Sequence, residues 1–455
     1  MSEVKRIVVI GADAAGMSAA HQALRSAKAR GRDIDVVVLE KTRHTSYSAC
    51  GIPYWIAGDV EDQVRLLART ADQHRGMGVD LRMGATAAEV DLDRGRVGYR
   101  TADDGVAEVP FDELIFATGA HPVIPDWARS AGGDPFPGVH PVKTLDDGER
   151  WLDLLGTAPE HGLVVGGGYI GVEMAEALVR RGVRTTLLTR SRVMSNLDPD
   201  MSERIETALT DAGVDIVTDD TVACLGTRHA VTNGGRRIRA DVVALGLGVR
   251  PSSELGEKAG IPVGRSGGYV PDENGRVGAG VWAAGDCCES RHRLTGDYVF
   301  TPLGTHANKQ GRAVGENIMG GSAGFGTVLG TAITRFVVAD QHVEIARTGL
   351  NSAEASAAGR NVASLVTEGR TASGYMPEAA PMATKIIADS DSRQLLGVQI
   401  VGGQAAGKRI DTAAATLWGS LTVDDLAAMD LAYAPPFATV WEAVQLAARR
   451  LTSRF

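Results

Sequence analysis

The sequence predicts an α/β protein with two Rossmann-like nucleotide-binding units. Three observations carry that expectation: a glycine turn between an apolar strand and a helix near the N-terminus, a cleaner copy of the same pattern from Gly162, and further apolar strand runs ending in small-residue turns. At 455 residues the chain exceeds the usual length of one domain, so several cores are expected. Hydrophobic residues at 44% and charged residues at 23% lie near the globular average, which excludes a disordered or fibrous chain. A formal net charge of -9 leaves no electrostatic footprint for nucleic acid.

The first unit reads KRIVVIGADAAG over 5–16, then a helical stretch, then the apolar run DVVVLE over 35–40. Gly11 lets the chain turn sharply and Gly16 lets the helix pack closely, with Ala14 and Ala15 between them as further candidate cofactor-binding positions. A pyrophosphate can then rest against free N–H groups at the helix start. Asp13 replaces the middle glycine of the usual Gly-x-Gly-x-x-Gly pattern, and its carboxylate must turn away from phosphate. Glu40 ends the second strand, followed by Lys41, where a carboxylate can accept both ribose hydroxyls of an adenosine.

The second unit, GLVVGGGYIGVE over 162–173, has Gly166, Gly168 and Gly171 in full spacing around Tyr169 and Ile170. Its second strand ends in LTRSR, without an acid; Arg190 and Arg192 can pair with a 2′-phosphate, which favours NADPH over NADH. Between and after the units lie LIFATG with Thr118 and Gly119, VVALGLG ending at Gly248, and GVWAAGD with Gly285 and Asp286. A helix start is expected near Pro302, Leu303 and Gly304.

Cys50, Cys224, Cys287 and Cys288 are either far apart or adjacent, which matches neither a secreted disulfide framework nor a metal site of paired Cys-x-x-Cys spacing. Cysteine chemistry here is therefore expected to be catalytic, with Cys224, Cys287 and Cys288 as structural packing residues. The apolar run Ile7 to Ile10 is too short for a signal peptide, and no stretch reaches the ~18 apolar residues of a membrane helix, so a cytoplasmic protein is expected.

Glu40, SACGIPY around Cys50, ATG at 117–119, GGGYIG at 166–171, AAGD at 283–286, ANKQGR at 307–312 and YAPPF at 433–437 occur in one order. Together they resemble the pyridine nucleotide-disulfide oxidoreductase superfamily, and within it the single-cysteine branch of CoA-disulfide reductases and NAD(P)H oxidases and peroxidases. The resemblance implies a glutathione reductase-like FAD domain (1–119 and 270–330), an NAD(P) domain (120–269) and a C-terminal α+β dimerisation domain (331–455) in a homodimer. It implies FAD at Gly11–Gly16, Glu40 and Asp286 and NADPH or NADH at Gly166–Gly171, with Tyr169 over the flavin until nicotinamide displaces it, and Lys41, Thr118, Gly119, Gly248, Gly285 and 302–304 as further cofactor-binding positions. Tyr433 and Tyr375 would reach across the dimer toward the redox cysteine of the other copy, where a phenol can protonate a leaving thiolate.

A two-cysteine reductase needs Cys-x4-Cys, but the flanking positions are Thr45 and Trp55, so Cys50 works alone, through a mixed disulfide or a sulfenic acid. A helix beginning at Gly51 would lower its thiol pKa. Ser18, Gln22, Arg25, Ser46 and Asn308 match the CoA-binding pattern of the branch. Ala49, Met77 and Trp441 depart from it, standing where an asparagine and two lysines are expected, which removes charge-assisted contacts to a phosphorylated ligand. Ala14 stands where the oxidase relatives carry a histidine. A small disulfide, polysulfide or related acceptor therefore leads, with oxygen reduction second. A nucleotide-responsive, non-enzymatic flavoprotein dimer is the reading from another class.

Overall fold

The computed structural model describes residues 4–129 and 136–455; residues 1–3 and 130–135, within the expected first and second domains, lie outside the described residues. The first sheet takes strands from both ends of the nucleotide-binding region. Its order is Arg276–Gly278, Val281–Ala283, Glu113–Phe116, Lys5–Ile10, Ile34–Glu40, Asp80–Met83, parallel except at the Arg276–Gly278 edge.

Its central strand shows why the sequence runs apolar without alternation. Ile7 and Val9 pack under the helices Ala14–Ala29 and Gly304–Asn317. Val8 and Ile10 face the antiparallel sheet of Thr86–Asp91, Arg96–Arg100 and Val106–Pro110. A parallel strand covered on both faces has no polar side to show.

The second sheet repeats this plan, ordered Asp215–Val217, Arg184–Leu188, His161–Val165, Val242–Leu245, Val139–Pro141, all parallel. One face is covered by helices that include Leu145–Gly156 and Tyr169–Arg180, the other by a small antiparallel sheet. The chain leaves the first sheet through Ala120–Pro122 and returns through Val249–Pro251, paired antiparallel, so the second unit is inserted into the first.

The C-terminal sheet is antiparallel, ordered Ala332–Val338, Gln341–Gly349, Leu395–Gly402, Pro381–Asp389, Val362–Arg370, and is covered by Ile410–Trp418, Val423–Ala428 and Ala443–Thr452. The architecture is therefore two Rossmann-like α/β domains followed by an α+β domain. Among the described residues no helix is long and apolar enough to cross a membrane.

Candidate active site

The two glycine turns are copies at the atomic level. Gly11 has φ +106°, and a Cβ there would lie 2.2 Å from the Ala117 carbonyl oxygen; Gly166 has φ +111°, and its Cβ would lie 2.2 Å from that of Gly246. At both Gly16 and Gly171 a Cβ would come within 1.9 Å of the carbonyl oxygen of the turn glycine. Gly168 has no side chain to spend on the second helix start, and the Asp13 carboxyl reaches no amide of the first helix beyond that of Ala14, so the following N–H groups stay available to an anion. At Gly168 a Cβ would meet no atom within 4 Å, which leaves room for a pyrophosphate against the second helix.

Glu40 is buried and already engaged. Its carboxylate accepts the Ala12 N–H at 2.8 Å and the Thr42 N–H and hydroxyl at 2.8 and 2.7 Å, clamping the second strand to the glycine turn. It therefore has less acceptor capacity for two ribose hydroxyls than the sequence suggested. Asp13 answers the missing middle glycine: its carboxyl lies by the Tyr47 and Ala14 amides, and burial, with Glu40 nearby, pushes its pKa up to about 6. Lys143 works against that rise and bonds Asp286 at 3.3 Å.

The remaining cofactor candidates surround these turns. Thr118 donates its hydroxyl to the Ser252 carbonyl, and Gly119 and Gly248 take positive φ at the two ends of the crossover. The Gly285 N–H donates to Gln310 at 2.9 Å, tying the Asp286 turn to the helix Gly304–Asn317, which Leu303 caps after Pro302. Lys41 is exposed.

Cys50 lies in a single 3-10 turn, Ala49–Gly51, before the short helix Ile52–Ala57. That helix buries Ile52, Trp55 and Ile56 in one core with the helices Leu145–Gly156 and Tyr169–Arg180, so the second domain packs directly on the cysteine segment. The cysteine is exposed. Enough protein still surrounds it that desolvation raises its thiol pKa, reinforced by Glu173 and Asp286 and opposed by Lys143. This corrects the expected lowering: a six-residue helix offers a weak dipole, and burial beside two carboxylates outweighs it.

Glu173 is the second titrating group here. Burial pushes its pKa up to about 7, and the Thr334 hydroxyl, donating at 2.8 Å from the C-terminal sheet, resists that shift. One turn on, Glu176 accepts the Val337 N–H at 2.8 Å, while Asp59 pairs with Arg180 and, at 2.6 Å, with Arg335, whose guanidinium lies 5.2 Å from the Tyr54 ring. Three domains thus meet behind Cys50. In a Cys224→Ser background, Glu173→Gln will lower the Cys50 pKa, because removing a negative charge favours thiolate. The variant's faster alkylation should appear above pH about 7 and vanish below it, where Glu173 is already neutral; equal rates across the range would refute the coupling.

Residues 5–311 match the family model described as pyridine nucleotide-disulphide oxidoreductase, and residues 336–444 match its dimerisation domain. The chain belongs to the pyridine nucleotide-disulphide oxidoreductase family. The oxidoreductase is 35% identical to the NAD(P)H sulfur oxidoreductase (CoA-dependent) of Pyrococcus abyssi (strain GE5 / Orsay), over 98% of both chains. It is 31% identical to an NADH oxidase of Methanocaldococcus jannaschii, over 97% of this chain and 98% of that one. It superposes on the NAD-dependent persulfide reductase from A. fulgidus with a TM-score of 0.93 at 32% identity, over 99% of this chain and 83% of the other.

Enzymes of this family use FAD and NAD(P)H, and both glycine turns fit such dinucleotides on the steric grounds above. In the oxidoreductase Tyr169 begins the second-domain helix, Ile170 follows it half-buried, and the Asn196 amide donates to the Tyr169 hydroxyl at 3.3 Å. Arg190 and Arg192 are exposed and form no ion pair among the described residues, leaving both guanidinium groups free for a phosphate.

The structure groups the expected substrate residues on adjoining surfaces. Ser18 donates to Asn308 at 3.0 Å, Arg25 donates to Gln22 at 2.8 Å, and Ser46 meets His74. Tyr375 and Tyr433 are exposed on the C-terminal domain, as are Phe437 and Val440, and the Ser373 N–H donates to the Pro435 carbonyl at 2.9 Å, which joins the two segments that carry the tyrosines. Of the divergent positions, Met77 is exposed and Trp441 is covered by the Arg449 guanidinium at 4.3 Å.

Sequence reading missed Glu173, although an acid inside the apolar helix YIGVEMAEALVR was the available signal. Lys143 gave no signal at all, because its meeting with Asp286 exists only in the fold. Cys287 and Cys288 are buried with their sulfurs 3.8 Å apart, but Cys224, expected to be packed, is exposed on the strand Val222–Gly226.

Proposed function

We propose that this oxidoreductase is an NADPH-dependent reductase of small sulfur–sulfur substrates, working as a cytoplasmic homodimer with Cys50 as its only redox sulfur. The observation that carries the reading is the isolation of Cys50: Cys287 and Cys288 are buried against each other, and Cys224 is exposed in the second domain. A solitary exposed cysteine can exchange with an incoming S–S bond but has no resolving thiol to close an internal disulfide. The 35% identical relative is an NAD(P)H sulfur oxidoreductase (CoA-dependent), which supports the same acceptor class.

FAD would lie along Gly11–Gly16, Glu40, Thr118–Gly119, Asp286 and residues 302–304, and the nicotinamide nucleotide along Gly166–Gly171, with Arg190 and Arg192 on its 2′-phosphate. FAD supplies the two-electron relay between reduced nicotinamide and sulfur. The Cys50 thiolate attacks one sulfur of R–S–S–R, forming a mixed disulfide and releasing RS⁻. Two electrons then cleave that bond, freeing the second RS⁻ and restoring the thiolate. The balance is NADPH + H⁺ + RSSR → NADP⁺ + 2 RSH.

Lys143 favours the thiolate by its charge. Tyr375, Tyr433, Phe437 and Val440 are large apolar residues exposed on the C-terminal domain, which matches a dimerisation domain, and a second copy covering them would bring a phenol to the leaving thiolate. The domain limits proposed are 1–119 with 270–330, 120–269, and 331–455.

The test is anaerobic NADPH consumption with CoA disulfide, pantethine and polysulfide, set against aerobic consumption without them. Turnover with at least one sulfur acceptor well above the oxygen rate is expected. Oxygen as the fastest acceptor would overturn the reading in favour of an oxidase.

A further inference from the structure

The small sheet of the second domain carries a row of cations that the proposed reaction does not use. It consists of the antiparallel strands Val222–Gly226, His229–Thr232 and Arg237–Arg239. Val222, Ala230 and Ile238 turn inward, into the core shared with Val165 and Leu188. The register sets Ala230 opposite Ile238, His229 opposite Arg239 and Val231 opposite Arg237. Strand alternation therefore turns His229, Arg237 and Arg239 to the outer face. With Thr227 and Arg228, from the turn between the first two strands, they line a cavity of about 640 Å³. That is the size range of a small-molecule site.

Four arginines fall within residues 228–239 of a chain whose net charge is -9. Three of them line the cavity, around a histidine whose place depends on a glycine. A Cβ on Gly226 would lie 2.2 Å from His229 Cε1 and 2.7 Å from both ring nitrogens, so the imidazole lies over a strand position that has no side chain. There Nδ1 accepts from Arg237 Nη2 at 3.3 Å, which puts the ring hydrogen on Nε2 as a further donor.

The carboxylates nearby leave most of this charge unspent. Asp241 accepts Arg228 Nε at 2.6 Å and the Glu160 and His161 N–H groups at 3.0 Å each, bonds that hold its carboxyl well below the usual range. Glu160 accepts Arg239 Nη2 at 2.9 Å. Arg237 has no ion pair among the described residues. Each of the three guanidinium groups thus spends one nitrogen and keeps the others for a ligand.

We propose that this cavity binds a phosphate chain, whether of a nucleoside polyphosphate or of inorganic polyphosphate, at a site separate from that of the nicotinamide nucleotide. Guanidinium forks match pairs of phosphate oxygens. Arg237 and Arg239 lie about 7 Å apart along one strand, so the row suits consecutive phosphates better than a single ion. The inference stands apart from the reductase reading, in which no residue of this sheet takes part.

Calorimetric titration of the FAD-containing enzyme tests it, with NADP⁺ at saturation to fill the second glycine turn. Inorganic tripolyphosphate should bind wild type at one site per chain. Arg237→Ala should weaken that binding about tenfold or more, the worth of a charge-assisted hydrogen bond. Gly226→Ala should weaken it too, because the three atoms nearest its Cβ all belong to the His229 ring, which must move while the backbone need not. Both variants should keep wild-type FAD content and wild-type reduction of the flavin by NADPH, which reports intact folding. ATP binding more tightly than tripolyphosphate would support a nucleotide as the ligand, and equal affinities would support the phosphate chain alone. No binding by wild type, or binding that either variant leaves unchanged, would overturn the proposal.

Discussion

Cys50→Ser will stop sulfur-acceptor reduction, by on the order of 10³-fold or more, while the enzyme still binds FAD and still accepts electrons from NADPH. The size of the effect follows from the absence of a substitute. Cys287 and Cys288 are buried, and Cys224 is exposed in the second domain, so no other thiol can take over. A serine hydroxyl titrates far above a thiol and cannot exchange with a disulfide, so the electron pair has no exit. Hydride acceptance should survive, because the substitution leaves the proposed nicotinamide site, the second glycine turn with Tyr169, untouched. In anaerobic rapid-mixing spectra, NADPH should bleach the flavin of the variant, while the long-wavelength thiolate-to-flavin absorption of the wild type disappears. Turnover by Cys50→Ser at the wild-type rate would remove Cys50 from the reaction.

The features legible in the sequence were those that sterics or covalent chemistry impose locally. Two glycine turns could be placed because Gly11 and Gly166 meet a backbone carbonyl where any side chain would go. The isolation of Cys50 could be read by counting cysteines. What the sequence hid depends on residues brought from distant segments. Thr334 lies 161 residues from Glu173, and Lys143 lies 143 residues from Asp286. The sign of the Cys50 shift was misread for the same reason: the helix start was visible, but the protein that desolvates the thiol and the Glu173 carboxylate from the second domain were not. Glu40 was placed correctly at its strand end, yet its bonds to Ala12 and Thr42 arise only once the loop closes.

Gly11→Ala and Gly166→Ala should produce opposite halves of a broken enzyme. Each Cβ would fall 2.2 Å from a backbone carbonyl oxygen, and each backbone has φ above +100°, so the turn itself must move. The conformational cost alone is ~1–2 kcal/mol, worth about a tenfold weaker dinucleotide, and the clash adds to it. Gly11→Ala should purify with little FAD and therefore without activity toward any acceptor. Gly166→Ala should purify yellow, with NADPH reducing its flavin only at a much higher concentration. Reduced chemically with dithionite instead, Gly166→Ala should still pass electrons to disulfide, since Cys50 and the first turn are intact. Loss of FAD from Gly166→Ala with retention by Gly11→Ala would reverse the assignment of the two domains. Failure of the dithionite-reduced variant to reduce disulfide would mean that the second domain does more for Cys50 than deliver hydride. The Glu173 carboxylate and the core shared by Ile52, Trp55 and Val172 are where that further influence would have to act.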